Sequence, residues 1–399
     1  MGLMSKIYLD TAAATPVDPR VLAAMKPFWS GQFGNPSSIH SWGVEAAAAV
    51  ATARRQAADF LAAHPDEIIF TSGATEANNL VLAGVMKSAA TDSELIVSAI
   101  EHPSVLEPAR ALIGSKLIIL PVNSVGLVDG KNLAAALTSA TRLVSVILAN
   151  HEIGVVQRWA EIAKVIRRWR RDQHSPWPLL HTDASQAART IELRVEKLGV
   201  DLLTLGGGKI YGPKGIGLLY CRRGVQLAPA AAGGGQEAGR RAGTENVPAI
   251  VGLGRALELA ASAAAGETKK LTKLRDYFIA GLLRLVPDTH LNGSPAERLP
   301  HNVNVSFVGT EAEQVVIELD ARGIAASAGS ACTDPRQDGS YVIMALGRSV
   351  EVARAAVRFS LDRGTTRADL DCVLKVLPSI IKKIRDHNFD YARSAFTKI

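Results

Sequence analysis

From residue 67 to residue 221 the chain keeps placing a short apolar run ahead of a helix-like stretch, and this alternation constrains the fold most. The runs are EIIFT, ELIVSAI, SKLIILPV, RLVSVILAN, LLHTD, VDLLTLGGG and GIGLLYC. A strand apolar on every residue is buried on both faces, and the intervening helices supply the cover. The expected fold is therefore α/β, with a largely parallel, doubly covered sheet. Past residue 266 the rhythm changes to a charged helix, NVNVSF, a helix near 311–322, the short AASAGSAC, and helices around 340–347, 349–356 and 367–387, which reads as a smaller α+β unit. A boundary is expected near the Ala-rich helix 249–265, where Gly266 precedes the charged helix TKKLTKLRDYFIAGLLRLV. The resulting division is 15–262 as a large unit and 1–14 with 263–399 as a small one. The N-terminal strand KIYLD joins the small unit because a short lone strand needs a sheet to pair with.

Composition narrows the class. The 399 residues are 47% hydrophobic and 21% charged, as in ordinary globular proteins. Cys221, Cys332 and Cys372 are too widely separated for a disulfide framework or a CxxC metal site, which suits a reducing, cytoplasmic setting. No signal peptide is read in MGLMSKIYLDTAAATP, and no unbroken run approaches the roughly 20 apolar residues of a membrane span. The net charge of +7 raises the question of nucleic acid. The densest basic run, Arg167 to Arg171, follows EIAKVI and is expected to end an amphipathic surface helix, where cations suit the C-terminal dipole. No aromatic platform accompanies it, so neither nucleic acid nor a membrane is an expected partner.

The chemistry gathers where open α/β sheets place their ligands, at the carboxyl ends of the strands. In LGGGKIYGPKG, residues 205–215, a single lysine, Lys209, sits among glycines that let the backbone approach something bulky. The turn holding Gly73, Ala74 and Thr75 opens a helix after EIIF and offers free N–H groups suited to a phosphate. Asp183 closes an apolar strand, where a carboxylate needs a cation or strong donors. A phosphate cradle, a carboxylate and a lysine together are what pyridoxal phosphate requires at its phosphate, ring nitrogen and aldehyde. Cys332, in SAGSACTD beside the polar stretch Asp334 to Gly339, is read as an accessible thiol. Cys221 and Cys372 are read as core or near-core.

These motifs resemble one family, the pyridoxal-phosphate cysteine desulfurases of the nitrogen-fixation and iron–sulfur-cluster type within the class V aminotransferases. YLDTAAATPVDPRV, GNPSSIH, FTSGATEANNL, EHPSVL, HEIGVVQ, HTDASQ, KIYGPKGIGLLY, GGGQE, RAGTENVPAIVG, NVSF, SAGSACT, SYVIMALG and VRFSL all occur in the family's order. The resemblance implies a fold-type I homodimer with its active site at the subunit interface and a seven-stranded sheet in the large domain. It implies that Lys209 binds the cofactor covalently, that Asp183 meets the pyridine nitrogen, and that Gln186 bonds the phenolic oxygen. His102 would stack on the ring and take part in proton transfer. Thr75 would hold phosphate, with Thr244 reaching in from the other subunit, and Asn35 and Arg358 would hold the substrate carboxylate. Cys332 would be the nucleophile that takes sulfur from L-cysteine as a persulfide, for transfer to an iron–sulfur scaffold or carrier protein. Its longer loop looks like the group I version.

Two departures stand out. Gly206 and Gly208 occupy positions where the family carries a serine and a histidine that contact phosphate, and each lost bond is worth about 1–3 kcal/mol. His151 replaces an asparagine beside the phenolic oxygen and is expected to add pH sensitivity near neutrality. The segment 167–178 has no counterpart. Selenocysteine lyase, which shares this layout, is the competing enzyme reading. A degenerate homologue that binds cofactor weakly and acts as a scaffold is the competing reading of another class.

Overall fold

The computed structural model describes residues 6–89, 92–112, 116–329 and 339–396. The strands, in chain order, are β1 (Ile7–Tyr8), β2 (Ile68–Thr71), β3 (Glu94–Ser98), β4 (Lys116–Leu120), β5 (Thr141–Ser145), β6 (Leu179–Asp183), β7 (Leu202–Gly206), β8 (Gly217–Cys221), β9 (Thr289–Leu291), β10 (Asn302–Phe307), β11 (Ile324–Ala325) and β12 (Ala356–Ser360). The α-helices are α1 (Pro19–Met25), α2 (Ser41–Leu61), α3 (Ala74–Lys87), α4 (Pro103–Ala111), α5 (Gly130–Ala136), α6 (Trp159–Asp172), α7 (Val195–Leu198), α8 (Val247–Leu285), α9 (Ala312–Asp320), α10 (Tyr341–Ala345), α11 (Val350–Arg354) and α12 (Arg367–Phe396).

Seven strands form one sheet in the order β2-β8-β7-β6-β5-β3-β4, and only β8 runs against its neighbours. The other six therefore end on one edge, as the alternating apolar runs predict. Alternate residues leave the sheet on opposite faces. Ile68, Phe70, Leu203 and Leu205 pack with α2, α6 and the first half of α8, while Ile69 and Leu202 pack with α3 and α4. β5 is shorter than the run RLVSVILAN, ending at Ser145. Beyond it the chain stays tied to its neighbour, with Val146 N donating to His181 O and Leu148 N to Asp183 O.

A second, antiparallel sheet has the order β12-β10-β9, and its core joins Phe278, Phe307, Phe359 and the buried stripe of α12 with Ile7 and Leu9. β1 pairs in parallel with β11. One expectation needs correcting here. Gly266 does not break a helix, because α8 runs unbroken from Val247 to Leu285. Its first half (Val247, Ile250, Leu253, Leu257) sits in the seven-stranded core and its second half (Leu271, Phe278, Leu282) in the smaller one. Gly266 faces open space, and a helix anchored at both ends tolerates the roughly 1 kcal/mol that glycine costs. By length and composition α8 could cross a membrane, but its apolar stripe lies in these two cores.

Residues 9–18 are laced between the two cores. Thr11 Oγ1 donates to Leu361 O (2.9 Å) and Ala12 N to Ser360 Oγ (2.9 Å), while Thr15 N donates to Gly208 O (3.0 Å) and Asp18 N to Tyr211 O (2.9 Å). Tyr211 sits at φ +60°, a left-handed conformation that costs a non-glycine residue free energy. Its own amide is fixed by Thr15 Oγ1 and its hydroxyl by Asp362. Arg189 stacks on the same ring, pairs with Glu267 of α8 and donates to Leu361 O at 3.3 Å. Removing one member of such a buried pair strands the other charge. We expect Arg189→Ala to lower stability by about 3–5 kcal/mol, read from the urea midpoint at unchanged m-value.

Candidate active site

The carboxyl edge of the seven-stranded sheet encloses a cavity of about 340 Å³ whose walls include Thr75, His102, Asp183, Gln186, Lys209 and Arg358. Topology accounts for the convergence, since these side chains follow different strands that all end on this edge or, for Arg358, lie on β12 facing it. Gly73, Ala74, His151, Gly206 and Gly208 are also in the wall. Gly73 gives α3 no side-chain cap, so the first amides of that helix stay available. Beneath the turn, a β-carbon on Gly217 would lie 2.6 Å from the carbonyl carbon of Gly73, so only glycine lets β8 pass under it.

Asp183 is 5% exposed and is held by neutral donors, Asn78 Nδ2 at 2.8 Å and Ser185 N at 2.9 Å. Asn78 also donates to Ser104 Oγ (2.8 Å), which lies 2.8 Å from His102 Nδ1. The amide of Ser104 donates to the same Nδ1, so the neutral ring carries its proton on Nε2. Burial lowers the His102 pKa, Asp183 opposes the shift, and Lys209 adds to it. The chain Asp183–Asn78–Ser104–His102 was not foreseen from the sequence. The signal was present as Asn78, a polar residue four positions after Ala74 within an apolar helix.

Lys209 Nζ donates to the carbonyls of Ala12 (2.8 Å) and Ala13 (2.6 Å), and Gln186 Nε2 donates to Ala12 O (2.9 Å). Arg358 donates through Nη1 to His151 O (2.9 Å) and through Nη2 to Asp10 Oδ1 (2.8 Å), leaving its buried Nε without a partner. His151 overturns an expectation. Enclosure, followed by the charges of His102, Arg358 and Lys209, holds its pKa well below the ordinary histidine range, so it stays neutral and does not titrate near neutrality. Its ring meets His102 edge-on at 4.9 Å, and its Nδ1 is buried without a partner.

Two expected site residues stand outside this cavity. Asn35 is exposed in the 31–40 loop, its Oδ1 accepting from Ser37 N (2.9 Å). Thr244 is exposed beside a separate small pocket with Ser72, Gly215 and Arg241. Cys332 lies outside the described residues, but Gly329 and Tyr341, which flank its segment, both line the cavity. Cys221 is buried, and burial pushes its thiol up to about 11. Cys372 is a correction, being exposed. The buried stripe of α12 runs through Leu370, Val373, Leu374 and Leu377, and position 372 turns away from it. In the basic run, Arg170 reaches inward to buried Asp201 and Pro178 O, while Arg168 and Arg171 pair with Asp172 at the end of α6.

Comparisons with known proteins bear on the family and the fold. Residues 7–373 match the family Aminotransferase class-V. A curated relative, the cysteine desulfurase IscS of Dictyoglomus turgidum, is 43% identical over 383 residues, covering 95% of each chain. A solved NifS-like protein superposes with a TM-score of 0.88 at 34% identity, over 95% of this chain and 100% of that one. SspA in complex with cysteine superposes with a TM-score of 0.76 at 36% identity, over 91% of this chain and 100% of that one.

Glu101, immediately before His102, supplies a test of the site's electrostatics. It is fully buried, accepts from Ser98 Oγ and from Ile147 N, and burial pushes its pKa up to about 8. Between about 4.5 and 8 the folded state therefore binds more protons than the unfolded one, and stability falls as pH rises through that window. Glu101→Gln removes this dependence. We expect the stability difference between variant and wild type to grow in the variant's favour by a few kcal/mol, in order of magnitude, from pH 5 to pH 8. Parallel denaturation curves at the two pH values measure it.

Proposed function

The chain belongs to the class-V aminotransferase family, and we propose that it is a cysteine desulfurase. It converts L-cysteine to L-alanine and holds the sulfur as a persulfide on Cys332 for an iron–sulfur scaffold or another acceptor. The observation that carries this reading is the convergence of Lys209, Asp183, His102 and Arg358 in one cavity whose wall includes both flanks of the Cys332 segment.

The residues present fit pyridoxal phosphate. A lysine amine, a buried carboxylate and the uncapped amides of α3 border one cavity, and His151, whose buried Nδ1 has no partner, lines it as well. Lys209 would bind the group covalently and Asp183 would meet the ring nitrogen. Gln186 and His151 would meet the phenolic oxygen, and Gly73, Ala74 and Thr75 would hold the phosphate beside Gly206 and Gly208. When bound, the cofactor supplies an electron sink that weakens bonds at the substrate's α-carbon. Arg358 takes the substrate carboxylate through its guanidinium. The Lys209 amine moves the α-proton, and His102 holds a transferable proton on Nε2. The Cys332 thiolate attacks the substrate sulfur. An S–S bond forms as the C–S bond breaks, the electron pair returns to carbon, and protonation completes the methyl group of alanine.

A second copy of the chain completes the site. Phe33 is 68% and Ile39 99% exposed, with Trp29, Trp42 and Val44 also exposed nearby in sequence. So many apolar residues in one short stretch fit an interface. Asn35 and Thr244, exposed and outside their own cavity, are where groups delivered to a neighbouring cavity would stand. The large and small units divide near residues 262–263, and the protein works in the cytoplasm.

Two experiments test this reading. Purified protein with pyridoxal phosphate is expected to show a near-visible absorbance band that Lys209→Ala loses. Cys332→Ala is expected to keep the band and reduce alanine release from cysteine to background. Wild-type turnover in Cys332→Ala, or lyase activity on selenocysteine alone, would sink the proposal. For the second copy, Ile39→Asp combined with Trp42→Ala is expected to convert a dimer to a monomer by light scattering and to abolish turnover. An unchanged mass or an active monomer counts against it.

A further inference from the structure

We propose that Ser185 is a binding residue for the cofactor's phosphate, its hydroxyl acting together with the Ala74 amide over the space left open by Gly206. This rests on the reading above that the cavity takes pyridoxal phosphate. Ser185 is 7% exposed, its Oγ is buried without a hydrogen-bond partner, and it lines the cavity. A hydroxyl withdrawn from water and left unpaired destabilises the folded chain unless a ligand pairs with it. Its position is set by the backbone, since Ser185 N donates to Asp183 Oδ1 at 2.9 Å.

Gly206 supplies the second half of the argument. A β-carbon built there would lie 3.4 Å from Ala74 Cβ, 3.7 Å from Ser185 Oγ and 3.8 Å from Ala74 N. These are ordinary contact distances, so the position has room for a side chain. At φ −117° the backbone does not require glycine either. What glycine provides is an open volume about the size of one heavy atom, bounded by an O–H donor and by the first amide of α3, a 14-residue helix with no side-chain cap. With no side chain at 206, a phosphate oxygen resting against the Gly206 α-carbon, beyond that β-carbon position, can approach both donors and the positive end of the helix dipole. A phosphate monoester, with three oxygens to distribute, can place one on this pair while the others face the Thr75 turn. Ser185 thus supplies a hydroxyl donor that position 206 lacks.

The test compares pyridoxal 5′-phosphate with pyridoxal, which lacks the phosphate, in equilibrium titrations of the near-visible band. Ser185→Ala is expected to weaken pyridoxal phosphate binding about tenfold, as for a lost bond to a charged acceptor, and to leave pyridoxal binding unchanged. Without cofactor its melting temperature is expected to stay level or rise, because only an unpaired buried hydroxyl is removed. Wild-type affinity in Ser185→Ala, or equal losses for the two compounds, overturns the proposal. Inorganic phosphate provides a readout independent of the cofactor. It is expected to raise the melting temperature of wild type but not of Ser185→Ala. That result in a protein that shows no band with pyridoxal phosphate would keep the phosphate subsite and discard the cofactor reading. Equal phosphate stabilisation of both proteins would discard the subsite.

Discussion

The lysine at the centre of this molecule is held by chain from the far N-terminus. Lys209 donates to the carbonyls of Ala12 and Ala13, and Thr15 and Asp18 bond the backbone on either side of it, at Gly208 and Tyr211. The strap gains its rigidity from the small unit, where Thr11 and Ala12 are tied to Leu361 and Ser360 and Leu9 is buried in the smaller core. The left-handed Tyr211 persists because its amide, carbonyl and hydroxyl all have partners. Position and strain at the lysine loop therefore depend on both cores being packed at once. The unbroken helix α8, with one half in each core, resists their separation.

Charge in the cavity is managed by burial. Burial holds His102 and His151 below the ordinary histidine range, and it raises Glu101 to about 8 and Glu152 to about 6. Desolvation is the largest cause in each case, so enclosure favours the neutral form of each group. Asp183 keeps its place through two neutral donors. A site with few permanent charges lets each of them act over a longer range than it would in water.

Much of this was legible in the sequence because it rests on local rules. Apolar runs alternating with helices gave the sheet, and the strand-end positions of Asp183 and Lys209 gave the edge on which they meet. Other features depended on neighbours distant in sequence. The asparagine that links Asp183 to His102 through Ser104 is visible only once α3, α4 and β6 are packed together. Gly266 reads locally as a break, yet the helix, packed into a core at each end, continues unbroken through it. Cys372 reads as apolar pattern, yet the stripe of α12 passes to one side of it. His151 reads as a titrating group, and only its complete enclosure makes it neutral.

The sequence by itself determined the class of fold, the order of the motifs and the identity of the candidate reactive groups. Periodicity and residue chemistry are local properties, and the chain carries them unfolded. The tertiary structure decided which groups share a cavity, which stand exposed outside it, and what burial does to their protonation. Those outcomes depend on distances between residues as far apart as Asp10 and Arg358, and such distances exist only after both cores have packed.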